Sequence, residues 1–170
     1  MEKMDARKRY TQMVLKQSFL KLLKEKPVNR ITVKEVCALA QLNRATFYAH
    51  YSDCFALMES IENELIDAFE KSLRYVNLFD VTALIEAIYD MVDQNQAACR
   101  VLILGNTSAT VLMRMIALAK EESIAYWRKE LPHADETELE MMYTHLSNGL
   151  MHVAVSYTHL RAHETLSDLV

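Results

Sequence analysis

Eleven lysine and arginine side chains fall within residues 1–50: Lys3, Arg7, Lys8, Arg9, Lys16, Lys21, Lys24, Lys26, Arg30, Lys34 and Arg44. Four acids, Glu2, Asp5, Glu25 and Glu35, accompany them, so this stretch carries a net +7. The rest of the chain holds eight bases against nineteen acids, and the two halves sum to −4. A basic head on an acidic body is suited to a polyanion partner for the head alone, because each phosphate that a Lys or Arg neutralises releases condensed counterions. A solvated helix face would give the same count. Charge poses the question, and the elements that carry these residues must answer it.

Other chemistry is poorly represented. Cys37, Cys54 and Cys99 are an odd number at unrelated spacings, which indicates neither a disulfide framework nor a zinc site, and they read as buried or idle thiols. His145 and His152 lie seven apart on one helical pattern, but two histidines with no third ligand do not make a metal site. There is no glycine-rich phosphate loop, no His-Glu-x-x-His and no Gly-x-Ser-x-Gly, so nothing supports an enzyme, and no cofactor or metal is expected.

The chain of 170 residues is 51% apolar and 25% charged, with two glycines and two prolines. That composition reads as globular and all-α, since an all-β chain needs many more turn residues. No apolar run reaches the roughly 18 to 20 residues of a membrane span, and no signal-peptide core follows the N-terminus. A cytoplasmic protein without a membrane partner is expected.

Tyr10, Val14, Leu15, Phe19, Leu22 and Leu23 recur at helical spacing between Asp5 and Lys26, before the stop at Pro27. Thr32 and Glu35 have the spacing of a capping box, which predicts a helix from Val33 to about Ala40. Asn43 is the next N-cap and opens a helix to about Tyr51. Two or three residues between these short helices force a sharp angle, at which Val36, Leu39, Leu42 and Phe47 can form a small core with the first helix. Asp53 opens a longer helix to about Val76, and Asp80 one to Asp93. Asn95 to Leu104 reads as a short helix, Asn106 to Ser108 begins one ending near Leu131, and Asp135 begins the last clear one, through Leu150.

Three helices, the last two joined by a tight turn, are the helix-turn-helix arrangement, whose third helix lies in the major groove of DNA. Two turns suffice for that helix, and basic residues around it can hold the backbone on either side. The run Ile31-Thr32-Val33-Lys34-Glu35-Val36, then Ala40, then Asn43-Arg44-Ala45-Thr46-Phe47-Tyr48-Ala49-His50-Tyr51 followed by Leu57, resembles the DNA-binding domain of tetracycline-repressor-type (TetR) regulators. The resemblance is specific across about residues 6–65 and beyond them rests on helix count. It implies an all-α homodimeric repressor whose C-terminal helical bundle binds a small-molecule effector.

Carried over position by position, the resemblance makes Lys34, Arg44, Ala45 and Ala49 base-facing. Arg44 could bond guanine in bidentate fashion, and the alanines could touch thymine methyls. Thr32, Thr46, Tyr48, His50 and Tyr51 would hold phosphates, and Asn43 joins the DNA-contacting set as the cap of the reading helix. Phe47 reads as core; Tyr51 packing against the first helix and His50 as a plain surface imidazole are the alternatives. Two positions depart from the family pattern. Gln41 stands where it usually has a left-handed glycine, and Cys54 where it tends to have a phosphate-clamping lysine. Met58, Met91, Met113, Met115, Met141, Met142 and Met151 enrich the C-terminal part. Core filling suits most of them, and an apolar effector pocket walled by Tyr89, Tyr126 or Trp127 is the sharper alternative.

The domains expected are a DNA-binding head over 1–52 and an effector-binding and dimerisation body over 53–154. Residues 155–170 form a tail, Val155 to Thr165 of which match one reading frame of a common transposase sequencing adapter. The expectation is that the native product continues past Ala154 with a further dimerisation helix, and that the tail holds no site. The resulting reading is a ligand-responsive regulator, a repressor, that binds a palindromic operator as a homodimer. A helical protein-interaction module that keeps the helix-turn-helix shape without operator binding is the competing class.

Overall fold

The computed structural model describes residues 2–74, 80–104, 109–149 and 152, and every regular element among them is helical. In chain order these are α1 (Glu2–Leu23), a 3-10 turn (Val28–Arg30), α2 (Val33–Ala40), α3 (Arg44–Tyr48), α4 (Cys54–Leu73), α5 (Val81–Gln94), α6 (Gln96–Ala98), which runs straight into wider π-type turns (Cys99–Leu104), and α7 (Ala109–Glu130). A last helix, α8, covers residues 136–149. No helix is long and apolar enough to cross a membrane among the described residues.

The helices begin where short polar side chains can satisfy the free N–H groups of a first turn. Thr32 and Glu35 form a reciprocal capping box: the Glu35 N–H donates to Thr32 Oγ1 at 3.3 Å, and the Thr32 N–H donates to Glu35 Oε2 at 2.9 Å. Asn43 Oδ1 accepts from the Thr46 N–H at 2.7 Å, Asp53 Oδ1 from the Ala56 N–H at 2.8 Å, and Asp80 Oδ1 from the Ala83 N–H at 3.0 Å. Asp135 and Glu138 repeat the reciprocal pattern at the head of α8, at 2.9 Å in both directions. Each expected N-cap that falls on described residues is therefore made. The start proposed at Asn106 to Ser108, the helix end near Val76, Leu150 and the tail from Val155 lie outside the described residues.

The chain divides into two compact units, and the division falls inside α4. The first gathers the described residues of 1–65 and 97–108. Here α1 packs on α2 and α2 on α3, and Leu15, Phe19, Leu23, Val36, Phe47 and Leu57 are buried. The second gathers the described residues of 66–96 and 109–170. Ile124, Trp127, Leu139 and Tyr143 form a buried cluster there, and the Tyr143 hydroxyl donates to the Ile116 carbonyl at 2.5 Å.

Several sequence expectations change. Leu39 does not join the small core: it is 46% exposed, and Cys37 and Ala40 are buried with Val36 instead. At about 100° per residue, positions 36, 37 and 40 share an arc that excludes 39. The first helix ends at Leu23 rather than Lys26, because the chain tightens into i→i−3 bonds, Lys24 N–H to Lys21 O and Glu25 N–H to Leu22 O, ahead of Pro27. The third ends at Tyr48 rather than Tyr51, although Tyr51 N–H still donates to Phe47 O at 2.9 Å. Trp127 is buried in the core cluster of its own unit.

Candidate nucleic-acid interface

Between α2 and α3 the chain turns through Gln41, whose φ of 54° and ψ of 40° are left-handed. It is the one non-glycine residue with positive φ among the described residues. The Gln41 N–H donates to Ala38 O at 3.3 Å and the Leu42 N–H to Cys37 O at 2.9 Å, the paired bonds that satisfy the last carbonyls of a helix when the residue after it is left-handed. This tight stop lets Asn43 cap α3 only two residues later. The sharp angle thus has a local origin, and Gln41 occupies the place where the sequence pattern called for glycine.

The short α3 buries Phe47, half-buries Thr46 and exposes the rest. Phe47 is 0% exposed, while Arg44, Ala45, Ala49 and Tyr48 stand on the outside, Tyr48 at 56%. On α2, Thr32 and Lys34 are exposed near the N-terminus. Two candidate base-reading side chains therefore come from different helices, and the two alanines add only methyl groups beside Arg44 and Tyr48 on the outside of α3. Arg44 and Lys34 have no ion-pair partner among the described residues.

That pattern extends over the basic head. Lys16 pairs with Glu64, and Lys26 Nζ sits 2.5 Å from Glu35 Oε1. Arg7, Lys8, Arg9, Lys21, Lys24, Arg30, Lys34 and Arg44 are all exposed with no ion pair among the described residues. A face laced with internal salt bridges would have accounted for the charge without a partner. Among the described residues two of these cations are paired and eight stay exposed, as either a solvated face or a polyanion-binding face would leave them.

The phosphate-holding candidates differ among themselves. Both threonine hydroxyls are engaged: Thr32 Oγ1 donates to Glu35 Oε2 at 2.8 Å, and Thr46 Oγ1 to Asn43 Oδ1 at 2.9 Å. Either would have to give up that bond to donate to a phosphate. Tyr48 is open to solvent. Tyr51 is packed inward, as the alternative reading had it: it is 7% exposed, tilted against Phe47 with ring centroids 5.9 Å apart, and its hydroxyl is buried without a hydrogen-bond partner among the described residues. The i+4 step from Phe47 puts Tyr51 on the same inward face, so its aromatic bulk packs with Phe47. His50 is half-buried, and its Nδ1 likewise has no partner among the described residues.

The Lys26 ammonium, and after it the backbone and hydroxyl of Thr32, hold the Glu35 carboxyl down at about 2. Burial pushes the Cys37 thiol up, against the pull of the Arg44 charge, and does the same to Cys54 and to Cys99, the last to about 11. These thiols stay protonated at neutral pH, so none is a ready nucleophile. Cys54, at the position where the family tends to carry lysine, is buried.

No family model matches the chain. Over 59 residues, 35% of this chain, it is 30% identical to the uncharacterized HTH-type transcriptional regulator YxbF of Bacillus subtilis (strain 168), and the match spans 16% of that protein. Solved structures match along most of the length. A TetR transcriptional regulator from Streptococcus agalactiae 2603V aligns over 86% of this chain and 82% of its own, with a TM-score of 0.59 at 24% identity. A TetR/AcrR-family transcriptional regulator from Aquifex aeolicus VF5 aligns over 94% of this chain and 99% of its own, with a TM-score of 0.58 at 17% identity. The chain has the all-α fold of TetR-type regulators, a helix-turn-helix segment followed by a helical C-terminal part.

Proposed function

We propose that this protein is a TetR-type transcriptional regulator that binds duplex DNA through α2 and α3 and responds to a small-molecule effector. Residues 1–52 are the DNA-binding head, and 53–154 the effector-binding and dimerisation body. The protein acts in the cytoplasm as a homodimeric repressor on a palindromic operator, with no catalytic role. The observation that carries this reading is α3 itself, a short helix that buries only Phe47 and turns Arg44, Ala45, Tyr48 and Ala49 outward, in a head where eight cations are exposed without an ion pair among the described residues. An outward arginine on a short helix that also turns Ala45 and Ala49 outward fits a groove floor, where the guanidinium can reach guanine O6 and N7 and a methyl can meet thymine.

Lys34 and Arg44 read bases, Ala45 and Ala49 lie against them, and Tyr48, Thr32 and Thr46 hold the backbone. Tyr51 and His50 support the end of α3, with Tyr51 acting through its packing on Phe47. The burial of Cys54 where the family tends to place a phosphate-clamping lysine favours the competing reading, a helical interaction module without an operator. Selection from a random duplex pool, using the protein as its native gene encodes it, separates the two. A recovered palindrome that is footprinted as a salt-sensitive site supports the regulator. Retention no better than that of unselected duplex at every ionic strength removes it.

A further inference from the structure

Near the start of α1 no side chain is buried from Ala6 to Tyr10. Ala6, Arg7, Lys8, Arg9 and Tyr10 are all exposed, and five successive residues at about 100° each go round the whole helix. A helical segment without a buried face has little beyond intrinsic propensity to hold it, so folding does not account for what these residues are. Residues 6–24 hold six bases and no acid. Thr11, Gln12 and Met13 stand one turn on from Arg7, Lys8 and Arg9, and Asp5, one turn back from Arg9, is the one acid within helical reach of the three. Tyr10 is 64% exposed, and its hydroxyl is a further donor on the same projecting segment.

Resting on the reading that α3 binds DNA, we propose that the projecting turn of α1 is a second DNA contact, in which Arg7, Lys8, Arg9 and Tyr10 grip the sugar-phosphate backbone flanking the segment that α3 reads. Three cations spread over successive faces of a helix suit a curved, uniformly charged backbone better than the edge of one base pair, which calls for a single aligned side chain. The contact adds affinity and salt dependence and carries no sequence information. It also offsets the phosphate clamp missing at Cys54.

The test compares wild-type protein with the triple variant Arg7→Gln, Lys8→Gln, Arg9→Gln, and with a Lys71→Gln, Lys129→Gln control for lost charge elsewhere. Binding is measured across a salt series on the selected operator with long flanks and on the same operator trimmed to the triple variant's footprint. Circular dichroism checks that all three proteins keep their helix content. The expected result is a slope of log K against log salt that is shallower by about 2 to 3 per head in the triple variant, from the roughly 0.9 counterions released per phosphate contact. Its affinity should fall equally on operator and random duplex, and wild type and triple variant should bind the trimmed duplex alike. An unchanged slope on the long operator, as an acidic protein partner for this turn would give, overturns the proposal and leaves α3's role standing. A loss that persists on the trimmed duplex, or that the control shares, overturns it as well. Wild-type protein with no affinity for DNA would take down both readings.

Discussion

Arg44 and Gln41 are the residues on which the head depends in opposite ways. Arg44 is exposed at the first position of α3 and pairs with nothing among the described residues, so its loss leaves the fold alone. Arg44→Ala is expected to weaken operator binding by about 1 to 3 kcal/mol while binding to random duplex falls less. Titrations of both duplexes check this, and an equal loss on the two would show that Arg44 grips phosphate only. Gln41 holds a left-handed backbone with φ of 54°, a conformation that costs a residue with a Cβ roughly 1 to 2 kcal/mol. Glycine relieves that strain but adds freedom to the unfolded chain. Gln41→Gly should therefore stabilise the protein by up to about 1 kcal/mol in urea unfolding, with DNA affinity unchanged.

At the scale of the element, α2 is held at its start by Glu35, which closes the capping box and receives Lys26 from the end of the segment after α1. The folded carboxyl sits at about 2, below its ordinary value of 4.5. A carboxylate depressed on folding contributes stability that is fully present above the unfolded value and is lost as pH falls through the folded one. The stability owed to this carboxylate should thus drain away between about pH 4.5 and 2. Denaturant midpoints across that range should drop less steeply in Glu35→Gln than in wild type, and parallel profiles would remove the argument. Because Lys34 sits inside this first turn, the cap also fixes the approach of a proposed base-reading side chain. Leu39 shows the limit of pattern reading within one element. Its type and spacing fitted a small core, yet a helix of eight residues has only one inward arc, and Val36, Cys37 and Ala40 occupy it.

For the whole molecule, a two-fold homodimer on DNA places two copies of α3 in successive major grooves on one side of the duplex, about 34 Å apart. The proposal then fixes the operator's phase. Inserting about five base pairs between half-sites turns one of them to the far side of the duplex, and affinity should drop to that of random DNA. Binding that tolerates this insertion would mean that the heads act singly. Cation placement belongs to this scale too. The +7 of residues 1–50 is legible from composition, but only the folded arrangement separates Lys16 and Lys26, which sit in ion pairs, from the eight cations exposed and unpaired among the described residues.

The sequence by itself determined where helices start, because a cap is a bond between residues three apart and needs nothing distant. Thr32, Asn43, Asp53, Asp80 and Asp135 each cap the helix they were expected to open. It also determined the all-α class, since two glycines and two prolines leave too few turns for sheets. Tertiary structure alone decided that Tyr51 turns inward, that Leu39 turns outward and that Ala6 to Tyr10 of α1 stay exposed. Burial is a property of which helix lies opposite, and that depends on crossing angles set by all the contacts of a unit at once rather than by the spacing within any one segment.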